Sequence, residues 1–171
     1  SEMADSNVRV TRPLNVRRWL RTQAVFMCDG VSAFKPLPLS QAYPMLEWGL
    51  NWCISGHAHG YLMIHAAVIE KDGKAVIMPA PPGSGKSTLC AGLISRGWRL
   101  LSDEIALIRL EDGELVPHPR PVSLKNASID VIRSFAPDSV MSPVVNDTVK
   151  GTVCHVRPPR DSVLRFDETA I

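Results

Sequence analysis

The chain has 171 residues and a formal net charge of +2, with 45% hydrophobic and 21% charged residues. That length suits one domain, or one domain with a small extra piece, and that apolar content excludes a disordered polar chain. A charge so near neutral gives no reason to expect nucleic acid or an anionic membrane as partner, and no apolar run reaches transmembrane length.

Residues 1–38 read as an N-terminal segment and 39–171 as the main domain. Ser1-Glu2-Met3 reads as a short remnant before a native start at Met3. Arg12, Arg17, Arg18 and Arg21 around Trp19 form a basic stretch of the solvated kind. Residues 22–28 predict a strand ended by an Asp29-Gly30 turn, and 35–38, with two prolines, predict an extended linker. Residues 40–55 predict a helix, with Ser40 as N-cap, Pro44 in the first turn, and Met45, Leu46, Gly49, Leu50, Cys53 and Ile54 recurring at helical spacing. His57 and His59 flank one residue in a Gly-bounded loop; two ligands are too few for a metal site, and the segment reads as a turn.

Residues 61–69 predict a strand, 71–74 a hairpin turn and 75–78 a second strand, so these two pair antiparallel. Next comes Ala80-Pro-Pro-Gly-Ser-Gly-Lys-Ser-Thr88, a phosphate-binding loop in which Ala80 stands where the first Gly is expected. A helix over 86–96 follows, with Leu89, Cys90, Leu93 and Ile94 on one face and Gly97 as its stop. Strand, glycine-rich loop and helix are the context the motif requires. Pro81 and Pro82 carry no N–H, so the phosphate cradle falls to Gly83, Ser84, Gly85, Lys86, Ser87 and Thr88. Lys86 is placed to neutralise β- and γ-phosphates and the Ser87 hydroxyl to reach Mg²⁺, which makes ATP and Mg²⁺ the expected cofactors.

Residues 98–102 predict a short strand ending at Asp103-Glu104, and 105–110 another before the turn at Glu111-Asp-Gly113. An acidic residue at such a strand end meets a metal or orients a nucleophile in phosphoryl-transfer enzymes. Asp is also a common turn cap, but two adjacent carboxylates repel unless a cation or substrate compensates, which favours a site holding Asp103 and Glu104. Residues 126–135 predict a short helix and 151–156 a strand, with loops and a ragged tail filling the rest of 136–171. Cys28, Cys53, Cys90 and Cys154 show no C-x-x-C spacing, and there is no signal-peptide pattern; a reducing, cytoplasmic setting follows.

Three stretches together resemble the HPr kinase/phosphorylase family: His65-Ala-Ala-Val-Ile69, Pro82-Gly-Ser-Gly-Lys-Ser-Thr88 and Arg96-Gly-Trp-Arg-Leu-Leu-Ser-Asp-Glu-Ile-Ala106. The likeness is nearest to the HPr kinase-related kinase A proteins, through Leu46-Glu-Trp-Gly-Leu-Asn-Trp52, Arg120-Pro-Val-Ser-Leu-Lys-Asn126 and Lys150-Gly-Thr-Val-Cys-His155. The resemblance covers about residues 45 to 160. It implies an α/β fold with a mixed sheet around one phosphate loop, like the HPr kinase catalytic domain and its phosphoenolpyruvate carboxykinase relatives. It implies ATP-dependent transfer of the γ-phosphoryl group to a serine of a small protein or peptide. Asp103 would take the serine proton, Glu104 would stand at the family's second Asp and serve the metal with Ser87, and His65 would support the charge state of Asp103. Read from its strand alone, His65 is a half-buried histidine with hydrogen-bond duties. Arg120 and Lys125 are either phosphate contacts or ordinary loop cations.

The E-I-R-G segment of the resembled family is missing, which leaves open a module that senses ATP or phosphate without transferring it. Members of the resembled set run on past an Arg157-Pro-Pro159 equivalent, so a truncated or naturally short member is expected. The resemblance also raises the expectation of a homo-oligomer.

Overall fold

The computed structural model describes residues 6–11 and 22–171; the basic stretch around Trp19 and the first residues lie outside these. The chain divides into two compact units, one ending at His59 and one spanning Gly60–Ile171. The first unit takes in the first long helix, which shares its core with a strand that precedes it.

In the first unit, β1 (Ser6–Thr11) pairs antiparallel with β2 (Gln23–Cys28), which also pairs with the short strands β3 (Val31–Ser32) and β4 (Leu37–Pro38). The turn between β2 and β3 uses Asp29 and Gly30, both at positive φ. A single 3₁₀ turn, Leu39–Gln41, leads into α1 (Ala42–His57), so the helix starts two residues later than Ser40 predicts and Gln41, with no side-chain cap, precedes it. β2 alternates strictly: Ala24, Phe26 and Cys28 are buried and pack with Met45 and Cys53 of α1. Gly49 is what lets the helix lie so close, since a Cβ there would stand 2.2 Å from the Phe26 ring.

In the second unit, the strand expected over 61–69 is two strands, β5 (Tyr61–Ile64) and β6 (Ala66–Lys71), broken by a bend at His65. β6 turns at Asp72-Gly73 into β7 (Lys74–Pro79) in regular antiparallel register. The phosphate loop, α2 (Lys86–Ile94) and β8 (Arg99–Ser102) follow, and β8 returns antiparallel to the other edge of β6. β9 (Ala106–Arg109) pairs with β5 and with β10 (Leu115–Val116). β11 (Val122–Lys125), α3 (Ala127–Phe135), β12 (Val145–Thr148) and β13 (Gly151–Val156) complete a third small sheet in the order β11-β13-β12. The chain closes with α4 (Arg160–Leu164).

Every strand pairing among the described residues is antiparallel, and helices mix with several small sheets and not one continuous sheet. The reason lies in the connections. β5 and β6 enter different sheets across one bend, and each sheet stops at three strands.

β6 is the buried centre of this unit. Its even-numbered residues Ala66 and Val68 enter one core with Leu101 and Ala106; its odd-numbered Ala67 and Ile69 enter another with Cys90, Leu100, Leu124 and Ile132. A strand covered on both faces reads as an unbroken apolar run, which is why 66–69 carries no alternation.

The segment after β13 is docked where the sequence suggests a ragged tail. Arg99 is held in an ion pair with Glu70 at 3.3 Å, both side chains nearly solvent-free, and its Nη2 donates to the carbonyl oxygens of Arg165 and Glu168. The Leu100 N–H donates to Ser162 Oγ at 2.8 Å, and Ala170 bridges to Leu115. Tail backbone polar groups thus find partners that the sequence pattern does not announce.

Candidate functional site

The loop between β7 and α2 is built from turn chemistry. Pro82 at the second position and Gly83 at the third, with φ +82°, suit a type II turn, which the Ser84 N–H closes on the Pro81 carbonyl at 3.3 Å. Gly85, at φ +89°, then reverses the chain into α2. The Ser84 N–H is therefore spent on the turn, and Ser84 does not line the cleft beside the loop. The N–H groups of the first helical turn, at Lys86, Ser87 and Thr88, have no partner within the helix and point with its positive end toward that cleft. Lys86 folds back over the loop, its Nζ donating to Ala80 O at 2.5 Å and Pro81 O at 3.2 Å.

The cleft has a volume of about 500 Å³. From the loop and helix it is lined by Gly83, Gly85, Lys86, Ser87 and Thr88; from the end of β8 by Asp103 and Glu104; and from the bend before β6 by His65. β11 adds Ser123 and Lys125 on the same face, since Val122 and Leu124 between them go into the core. Of the residues singled out in the sequence, Ser84 and Arg120 are not brought to it. Arg120 sits in the proline-rich stretch after β10, where its charge helps burial to hold the His118 imidazole down to a pKa of about 4. His65 is exposed at its bend, not half-buried in a strand, and reaches the cleft from there.

Asp103 is the electrostatic centre. Its Oδ2 accepts the Ser123 backbone N–H at 2.9 Å, while Oδ1 is buried without a hydrogen-bond partner. Burial pushes its carboxyl up to about 6; the Ser123 N–H and the Ser87 hydroxyl draw it back, Glu104 raises it and Lys125 lowers it. Glu104 lies 4.0 Å from the Lys150 ammonium, and burial holds that lysine below its ordinary range despite the carboxylate.

Ser123, Ser128 and Lys150 line this cleft as well, and of these Ser123 and Ser128 were not singled out in the sequence. Ser128 exchanges hydrogen bonds with the Lys125 backbone, accepting from N at 2.8 Å and donating to O at 2.6 Å, and so fixes the step from β11 into α3. The alternation Val122, Leu124 against Ser123, Lys125 is the one signal that points to Ser123 in advance.

The Ser87 hydroxyl and Glu104, on one cleft with the unpaired buried oxygen of Asp103, fit a hard divalent cation such as Mg²⁺. Among the described residues no group of three or more His, Cys, Asp or Glu forms a closed metal cage. Such an ion would complete its shell with phosphate oxygens and water, as Mg²⁺ habitually does.

A family model described as "SynChlorMet cassette protein ScmC" matches residues 45–134, just over half of the chain. No curated protein and no solved structure matches. The match overturns the resemblance to HPr kinases. The first three stretches of that resemblance hold a phosphate loop, a strand-end carboxylate pair and a histidine, local features that recur on unrelated folds. Among the described residues no helix is long and apolar enough to cross a membrane.

Proposed function

The chain belongs to the ScmC family of SynChlorMet cassette proteins, and for this member we propose ATP-dependent phosphoryl transfer to a serine hydroxyl of a small protein or peptide. The observation that carries the reading is Asp103. Its carboxylate, with one buried oxygen unpaired, shares a single cleft with Lys86 and Ser87 of the phosphate loop. A module that only bound phosphate would gain nothing from a half-satisfied buried carboxylate beside it, which costs free energy.

The first-turn N–H groups and Lys86 bind the phosphate chain, Lys86 leaving its loop carbonyls for the β- and γ-oxygens. Mg²⁺, when bound, would supply charge neutralisation to the transferring phosphate, and Ser87 and Glu104 would hold it. Asp103 accepts the acceptor hydroxyl's proton as that oxygen forms its bond to the γ-phosphorus. The bond from phosphorus to the β–γ bridging oxygen breaks, and ADP leaves with that oxygen. A carboxyl titrating at about 6 is mostly ionised at neutral pH and still basic enough to serve. Lys125 and Lys150 bring positive charge to the same cleft. A cytoplasmic setting suits four cysteines that form no disulfide, Cys28 and Cys53 among them with sulfurs 3.3 Å apart.

The test is incubation of the purified protein with γ-labelled ATP and lysate of its source cell, in wild type, Lys86→Ala and Asp103→Asn. A labelled acceptor that requires both residues, with ATP still binding to Asp103→Asn, supports transfer. Tight ATP binding with no labelled product in wild type replaces it with a nucleotide-sensing module. Full turnover by Asp103→Asn removes the base assignment.

A further inference from the structure

Gly85 and Thr88 line a second depression as well as the phosphate cleft. It runs between α2 and α3, has a volume of about 490 Å³, and is apolar where the first is charged. Leu89 on α2 and Val131 and Phe135 on α3 are its walls, and each is about half exposed: 55%, 52% and 49%. Leu89 stands one helical turn beyond Gly85. Its exposure departs from the helical face expected of it, because the buried stripe of α2 runs through Cys90, Ala91 and Ile94 instead. The floor is opened by Gly92, where a Cβ would touch Phe135 at 3.5 Å. At one end the Arg96 guanidinium lies over the Phe135 ring, 4.8 Å from its centroid.

We infer that this groove takes the purine base of the nucleotide whose phosphates occupy the loop. The inference rests on the phosphate-loop reading above. Its argument is the join between the two depressions. A nucleoside triphosphate is an anionic chain covalently tied to a flat apolar ring. Here an anion-binding helix terminus is continuous, through Gly85 and Thr88, with an apolar slot of ligand size that runs along the same helix. The slot offers packing surface and a guanidinium plane in place of a ring of donors and acceptors. It therefore selects for a purine's area and stacking and discriminates weakly between adenine and guanine.

Calorimetric titration of the full chain with Mg²⁺ and either sodium tripolyphosphate or ATP separates the two depressions. The expected result is ATP binding at least about tenfold tighter than tripolyphosphate in wild type, a difference supplied by the base. Gly92→Leu, which fills the slot from a helical position that tolerates a side chain, and Phe135→Ala, which removes a half-exposed wall, should each erase that difference and leave tripolyphosphate affinity unchanged. The Phe135→Ala result decides alone if Gly92→Leu does not fold. Unchanged ATP affinity in the folded variants overturns the inference while the phosphate-loop reading stands. So does loss of acceptor labelling at unchanged ATP affinity, which would make the groove an acceptor site. Failure of both tripolyphosphate and ATP to bind wild type removes the phosphate-loop reading and the inference together.

Discussion

The Ser123 backbone N–H donates to Asp103 Oδ2 at 2.9 Å, joining β11 to the end of β8 across the cleft. Ser123 faces His155 on β13, whose own N–H and C=O are both engaged with Ser142. Ser123 therefore occupies a pair with no hydrogen bonds across it, and its N–H is turned outward to the carboxylate. β11 is an edge strand, where proline is tolerated when the missing N–H faces away from the sheet. Phosphoryl transfer by the wild type should rise with pH through about 6, as Asp103 loses its proton. In Ser123→Pro that midpoint should move up by about one pH unit, the size of a lost charge-assisted hydrogen bond. A pH–rate profile of kcat/KM checks both; an unmoved midpoint in the variant refutes the coupling.

Asp103 also carries a stability cost. Its folded-state pKa, about 6, lies above the ordinary 3.8, so the native state holds the proton more tightly. The stabilisation is present in full below about pH 4 and is lost as pH rises through about 6, amounting to about 3 kcal/mol across that window. Asp103→Asn, which does not titrate, should be the more stable protein at pH 8 by up to that amount and lose its advantage toward pH 4. Urea unfolding at several pH values measures this. A gain in stability at neutral pH together with loss of transfer is the pattern of a functional group held at a structural cost.

Glu70 and Arg99 are opposed on β6 and β8 and almost completely shielded from water. Removing the guanidinium takes from the buried Glu70 carboxylate its nearest charge partner, leaving it the Gly73 N–H and the Arg165 guanidinium at 4.0 Å, and leaves the Arg165 and Glu168 carbonyls without their donor. Arg99→Met should cost about 3–5 kcal/mol, and Glu70→Met with Arg99→Met should recover much of that loss. Denaturation curves of the two variants, with limited proteolysis of the segment after residue 160, test it. A double variant as unstable as the single one would contradict the charge argument.

Gly49 lies against the buried Phe26 ring, with no room for a methyl group. Gly49→Ala should destabilise the first unit by about 1–3 kcal/mol despite alanine's better helix propensity, because overpacking outweighs a gain of about 1 kcal/mol. Phe26→Leu in the same chain should restore part of the loss. Thermal melting of the three variants provides the comparison; a stabilised Gly49→Ala would show that α1 shifts to make space.

The site's local half can be read from residue order. The Pro82-Gly83 turn, the reversal at Gly85, Lys86 and Ser87 on the first helical turn, and the Asp103-Glu104 pair at a strand end each depend on dihedral preferences and charge within a few neighbours. The helices over 42–57, 86–94 and 127–135 and the hairpin at Asp72-Gly73 likewise follow from spacing and turn chemistry. What lies far apart along the chain was decided only in three dimensions. An apolar run over 61–69 does not say that a bend at His65 sends its halves into different sheets. Nor does burial periodicity name the strand that will present an N–H to Asp103. Leu89 satisfies helical spacing yet faces the open groove, and Arg120 looks like a phosphate contact yet stands beside His118. Turn and cap energies are paid locally, so sequence by itself determined the loop and its carboxylates. Pairing and burial, and with burial the raised pKa of Asp103, depend on groups far along the chain, as does the Ser123 N–H that draws that pKa back, and only the packed fold brings these together.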